Sequence, residues 1–307
     1  MSSLQNQIFR FVLTHRNWLH LQKNRKVVFD FHTSISNFRE ECERGARSLG
    51  ALPAGIDVVP TCVNGLAAEW ILPRGAHKDA AIFYTHGGGY VSGSCSDHRS
   101  FVARVVSQSG VGAFLFEYRL APENPFPAAL EDSVGAYRWL LEQGISPSKI
   151  VIAGESAGGG LCLATLLALR DRGIPLPSAA VAVSPWTDLK CTGESYRTKN
   201  QVSVAPEGSW TLFSKYYVGE NDPCLPLISP LYGDLHGLPP MLINAGDADE
   251  LIDDSVRFAE KAKAAGVDVT LQVGEGMIHC YPFLPAFIPE SRQAMDGICE
   301  YVKTHIA

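Results

Sequence analysis

Lys149-Ile150-Val151-Ile152-Ala153-Gly154-Glu155-Ser156-Ala157-Gly158 is the stretch that decides the fold. Its apolar run has the length of a buried strand, and the helix-like stretch Leu161 to Leu169 follows almost at once, so Ser156 falls on a strand-to-helix turn. Such a turn is tight and its central residue strained. The glycines two positions before and after the serine let neighbouring chain pass close by without Cβ atoms. The Ser156 hydroxyl then projects from the carboxyl end of a central strand. The amide of Ala157 opens the next helix and points toward any negative charge that develops beside the serine. A G-x-S-x-G pentapeptide also serves as a plain connection in an α/β sheet, so the reading depends on what else the chain carries.

Upstream, Ala81-Ile82-Phe83-Tyr84-Thr85 reads as another buried strand running into His86-Gly87-Gly88-Gly89-Tyr90. Three glycines allow a backbone to turn its N–H groups inward, and each donor aimed at a developing oxyanion is worth ~10²–10³ in rate. A serine hydroxyl also needs a base, and the base needs a carboxylate to fix its tautomer. Pro240 to Ala245 is a strand that ends in Gly246-Asp247-Ala248-Asp249-Glu250-Leu251, and Val269 to Val273 is one that ends in Gly274-Glu275-Gly276-Met277-Ile278-His279. The order Ser156, Asp249, His279 is that of α/β-hydrolases.

Together with Tyr118-Arg119-Leu120-Ala121-Pro122-Glu123 and Pro125-Phe126-Pro127-Ala128-Ala129, these motifs resemble the hormone-sensitive-lipase-like family of α/β-hydrolase carboxylesterases from about Asp79 to the C-terminus. The resemblance implies a carboxylesterase acting through an acyl-enzyme on short- to medium-chain acyl esters. Ser156 would be nucleophile, His279 base, Asp249 orienting acid, and the amides of Gly88, Gly89 and Ala157 the oxyanion hole. The chain departs from the family at one point: Asp249-Glu250-Leu251 stands where Asp-Pro-Leu is usual, and Asp247 lies close enough to compete as the acid.

The wider chain reads as α/β. Further strands are expected at Gly112 to Glu117 and Ala179 to Val183, and helices at Ser100 to Gln108, Leu130 to Gln143, Leu161 to Arg170 and Asp253 to Ala265. The expected architecture is an α/β-hydrolase fold, a mostly parallel sheet flanked by helices, with a helical cap. Residues 51–185 and 227–307 would form the catalytic core. Residues 1–50, with Phe9, Phe11, Trp18, Arg25, Lys26 and Phe29, and residues 186–226, with Tyr196, Trp210, Phe213, Tyr216 and Tyr217, would form the two parts of the cap. Aromatic residues at helical spacing also suit the core of a small subdomain.

The chain has 307 residues, 46% of them apolar and 19% charged, with a net charge of −6, which suits a globular enzyme and gives no sign of nucleic-acid binding. Eight cysteines are scattered singly with no C-x-x-C spacing, so free thiols, a reducing cytoplasmic setting and no metal are expected. No cofactor is implied. The residues after Met1 reach Arg10, His15 and Arg16 before any apolar run of signal-peptide length, and no membrane span is expected. The partner is a small-molecule ester, and a homodimer is compatible with the sequence.

His86 is expected to fix its glycine loop, Glu155 to meet a polar loop residue or face solvent, Arg119 to pair with a carboxylate, and Glu123 and Asp132 to anchor the proline-rich turn and a helix start. His236 and His305 are expected at the surface. Gly87 to Gly93 and Glu117 imitate a dinucleotide-binding unit, but the third glycine is one position late and the acid too far along, and an oxidoreductase leaves Ser156 and His279 without a role. A non-catalytic ligand receptor would most simply have lost one triad member. Lactone, amide or carbamate hydrolysis by the same triad stays open.

Overall fold

One eight-stranded sheet organises the chain, with β1 (Ile56–Val63), β2 (Leu66–Pro73), β3 (Ala81–Thr85), β4 (Ala113–Phe116), β5 (Ile150–Glu155), β6 (Ala179–Val183), β7 (Met241–Gly246) and β8 (Val269–Gly274) in the order β1-β2-β4-β3-β5-β6-β7-β8. The computed structural model describes residues 2–14, 30, 32–47, 51–200, 205–206 and 208–306. The sheet is parallel from β4 to β8, and β2 runs antiparallel to both β1 and β4. The β1–β2 hairpin is not among the strands expected from apolar runs. It turns on Asn64 and Gly65, both at positive φ, the backbone that a two-residue hairpin demands.

Strands β3 to β7 are buried along their whole length, which is why they read as apolar runs, whereas the edge strand β8 is partly exposed. Alternate residues point to opposite layers. Phe83, Phe114, Phe116, Ile150 and Ile152 pack against α4 (Ala128–Glu142) and α5 (Ala157–Asp171). Ile82, Ala113, Leu115 and Val151 pack against α3 (Cys95–Ser109) and α9 (Pro289–Ile306). Helix α3 starts five residues before the expected Ser100. Ser94 accepts from the Asp97 amide while the Asp97 carboxylate accepts from the Ser94 amide, a capping box that fixes the start. Every residue of α5 from Ala157 to Leu169 is buried, so this helix is enclosed by the core it helps to form.

At the N-terminus, α1 (Leu4–Thr14) is tied to the C-terminal region by Ser3, which donates to Glu290, and by Asn6, which donates to the Gly276 carbonyl at 3.3 Å. Helix α2 (Ile35–Arg47) lies elsewhere: Arg39 donates to the Val91 and Ala121 carbonyls and to Glu123. Trp18, Arg25, Lys26 and Phe29 lie outside the described residues. The segment after β6 carries the short α6 (Ser195–Thr198) and α7 (Ser209–Val218), and α8 (Ile252–Ala264) follows β7. Among the described residues no helix is long and apolar enough to cross a membrane.

Candidate active site

Ser156 stands between the end of β5 and the start of α5 with φ +56° and ψ −125°, a conformation costly for any residue with a Cβ, about 1–3 kcal/mol. The surroundings hold it there. Its amide donates to Val183 O of the neighbouring strand at 2.9 Å, and its carbonyl accepts from Gly160 at 3.0 Å and from Trp186 at 2.9 Å. The flanking glycines are needed for close approach: a Cβ on Gly158 would sit 2.1 Å from Thr85 O, and one on Gly160 would sit 2.1 Å from Trp186 O.

The glycine loop after β3 faces this turn. Gly88 and Gly89 have φ +111° and +66°. A Cβ on Gly88 would lie 2.3 Å from the Ser92 carbonyl oxygen, and one on Gly89 would lie 2.3 Å from Phe213. The amides of Gly88, Gly89 and Ala157 have no acceptor among the described residues, so they are available to a ligand oxygen.

Asp249 and His279 come from the loops after β7 and β8, and the structure brings them together. His279 Nδ1 lies 3.0 Å from each Asp249 carboxylate oxygen, and Asp249 also accepts the Leu251 amide at 2.9 Å. Asp249 is 1 % exposed. Burial disfavours a charged imidazolium at His279, yet the Asp249 carboxylate outweighs it and raises the pKa well above the ordinary value. Asp247 is committed elsewhere, accepting the Gly276 amide at 2.6 Å. The histidine loop is tied to the strand beside the elbow, since Ser184 Oγ, just past β6, accepts the Cys280 amide at 3.0 Å.

The chemistry beneath the glycine loop was only partly foreseen. Glu155, next to the serine, is buried, and its carboxylate accepts the Gly87 amide, the Tyr84 hydroxyl and His98 Nε2, the last at 2.9 Å. His98 Nδ1 bonds Asp97 in turn. Burial opposes charge on His98, but Glu155 and Asp97 overcome it and hold its pKa up at about 10, so it is an imidazolium between two carboxylates. His98 was not singled out from sequence. An acid-histidine pair one turn into a helix beside an HGGG loop is the signal that would have found it.

His86 fixes the loop as expected, with Nδ1 2.8 Å from Gly87 O and its ring stacked 4.1 Å from Tyr118. Burial, then the charge on His98, lowers its pKa to about 4, so it is neutral. Arg119 finds its carboxylate in Asp132, and Glu123 pairs with Arg39. Glu117 accepts the Cys95 amide and is not placed as a ribose-binding acid would be. His236 is exposed and His305 half-buried, bonded to Tyr301 O.

Trp210 and Phe213 of α7 lie against this floor. The Trp210 ring meets His279 edge-on at 5.8 Å, and Phe213, which crowds Gly89, packs 5.7 Å from Phe38 of α2. The family profile of the alpha/beta hydrolase fold matches residues 82–283, a span that takes in the glycine loop, the elbow, Asp249 and His279. The chain belongs to the hormone-sensitive-lipase-like family of α/β-hydrolase carboxylesterases. An acetyl-hydrolase of Streptomyces hygroscopicus is 40% identical over 259 residues, 84% of this chain and 85% of the relative. A crystal structure of an esterase from the bacterial hormone-sensitive lipase family superposes with a TM-score of 0.89 at 39% identity, covering 100% of both chains. The esterase EstE5, in a crystal soaked with p-nitrophenyl butyrate, superposes with a TM-score of 0.88 at 37% identity over 99% of both chains. The chain is therefore a carboxylic ester hydrolase.

Proposed function

We propose that this esterase cleaves short- to medium-chain acyl esters through an acyl-enzyme on Ser156. The observation that carries the mechanism is the Asp249 carboxylate facing His279 Nδ1, with each of its oxygens 3.0 Å away. That contact puts the ring proton on Nδ1 and leaves Nε2 with the lone pair a base requires. His279 takes the Ser156 proton as the oxygen attacks the ester carbonyl. The resulting oxyanion is received by the amides of Gly88, Gly89 and Ala157, already oriented before the reaction. His279 returns the proton to the departing alcohol, and water then repeats the sequence on the acyl-enzyme. Asp249 holds the tautomer throughout and stabilises the transient imidazolium.

We infer that residues 1–50 and 186–226 act as a cap. What supports the reading is that Phe38 of α2 packs on Phe213, Phe213 crowds Gly89 and Trp210 meets His279, apolar side chains suited to excluding water and limiting acyl length. The acetyl-hydrolase relative supports a small acyl group. Eight unpaired cysteines support a reducing, cytoplasmic setting. Turnover on p-nitrophenyl esters of increasing acyl length, with lactones and anilides alongside, tests the reading. Rate should fall as the chain lengthens, with lactones and anilides slower. A steady rise to long-chain emulsions, or faster anilide cleavage, contradicts it.

A further inference from the structure

We propose that Trp210, held in place by Glu250, is the wall that limits the size of the departing alcohol. The assignment rests on the reading of His279 as the base. The base must hand its proton to the leaving oxygen, so the alcohol portion of a bound ester lies against the imidazole, whereas the acyl carbonyl points to the glycine amides. Trp210 meets the imidazole edge to face at 77°, with ring centres 5.8 Å apart.

The indole is fixed from three directions. Its Nε1 donates to Glu250 Oε2 at 3.0 Å, and its ring meets Trp186 edge-on at 5.1 Å and Tyr196 at 6.1 Å. Glu250 is 8 % exposed and follows directly on the acid Asp249, so the residue that fixes the wall is joined to the residue that orients the base. An apolar side chain at this position would offer the indole no acceptor. Glu250 thus gives this chain a means of holding Trp210 against His279.

The test compares kcat/KM for ethyl, butyl and hexyl acetate with kcat/KM for ethyl acetate, butyrate and hexanoate. Trp210→Ala should raise the hexyl-to-ethyl preference among the acetates by on the order of tenfold, as expected when a pocket gains room for a few methylenes, and should leave the acyl preference in place. Glu250→Ala should move the alcohol preference in the same direction. Glu250→Gln should restore it, because the amide oxygen still accepts the indole N–H. An alcohol preference unmoved in folded Trp210→Ala overturns the assignment, as does an equal change in the acyl series. If Trp210→Ala does not fold, identical alcohol preferences in wild type, Glu250→Ala and Glu250→Gln overturn it instead. Ser156→Ala measured on the same substrates separates these outcomes: ester cleavage surviving there is a failure of the serine mechanism, not of the wall.

Discussion

Replacing Glu155 by alanine should unfold the protein more easily by about 3–5 kcal/mol, the usual loss when one member of a buried ion pair is removed. The size follows from what the carboxylate receives. Gly87 N, Tyr84 Oη and His98 Nε2 all donate to it within the core, and alanine leaves each without that acceptor. Lone buried donors cost about 1–3 kcal/mol apiece, but the three share one partner and will not add. Glu155→Gln keeps one acceptor oxygen and should lose less. Urea unfolding followed by circular dichroism measures both. Wild-type stability should also depend on pH through this cluster. His98 is raised to about 10, so its contribution is complete below about 6.5 and is lost as pH rises through about 10. His86 is lowered to about 4, so its contribution is present above about 6.5 and is lost as pH falls through about 4. In Glu155→Ala the alkaline slope should flatten. A Glu155→Ala protein within about 0.5 kcal/mol of wild type, with the same pH slope, refutes the reasoning.

Asp249→Asn should cut turnover by ~10⁴, as loss of the orienting carboxylate does in serine triads, while Asp247→Asn keeps most activity; the reverse ranking moves the acid by two residues. Gly89→Ala should lower kcat by ~10² or more with the far-ultraviolet spectrum intact, because its Cβ would lie 2.3 Å from Phe213 at a φ of +66°. Unchanged kcat would remove Gly89 from the oxyanion site. The acid limb of kcat/KM should lie above the ordinary imidazole value of about 6.5, since His279 must be neutral to act and Asp249 holds its proton on. A limb at or below that value contradicts the assigned pair.

The motifs from which catalysis is proposed were readable because their demands are local. A glycine-flanked serine, a triple-glycine loop and polar residues at strand ends each leave a mark within a few positions, and the structure sets Asp249 against His279 as the chain order implies. Strands β3 to β7 were legible because burial along their whole length makes them apolar runs. Strand β1 was not, since Val58, Val59 and Pro60 are partly or fully exposed, and β2, though mostly buried, has its apolar run broken by Glu69; the informative residues were Asn64 and Gly65 at the turn. The start of α3 was hidden because Ser94-Cys95-Ser96-Asp97 is polar and reads as loop until seen as a capping box. The His98 cluster was out of reach for another reason. It joins β3, α3 and the end of β5, and which charges meet across a sheet depends on strand order, which apolar periodicity does not encode.

The proposed mechanism requires that Ser156 carry the acyl group. Incubation with a serine-directed phosphonate, followed by peptide mass spectrometry, tests it most directly. A single adduct is expected on Ser156, formed in step with loss of esterase activity and absent from folded Ser156→Ala, whose turnover falls by up to ~10⁶. An adduct on another residue, or near-normal hydrolysis by folded Ser156→Ala, would contradict it.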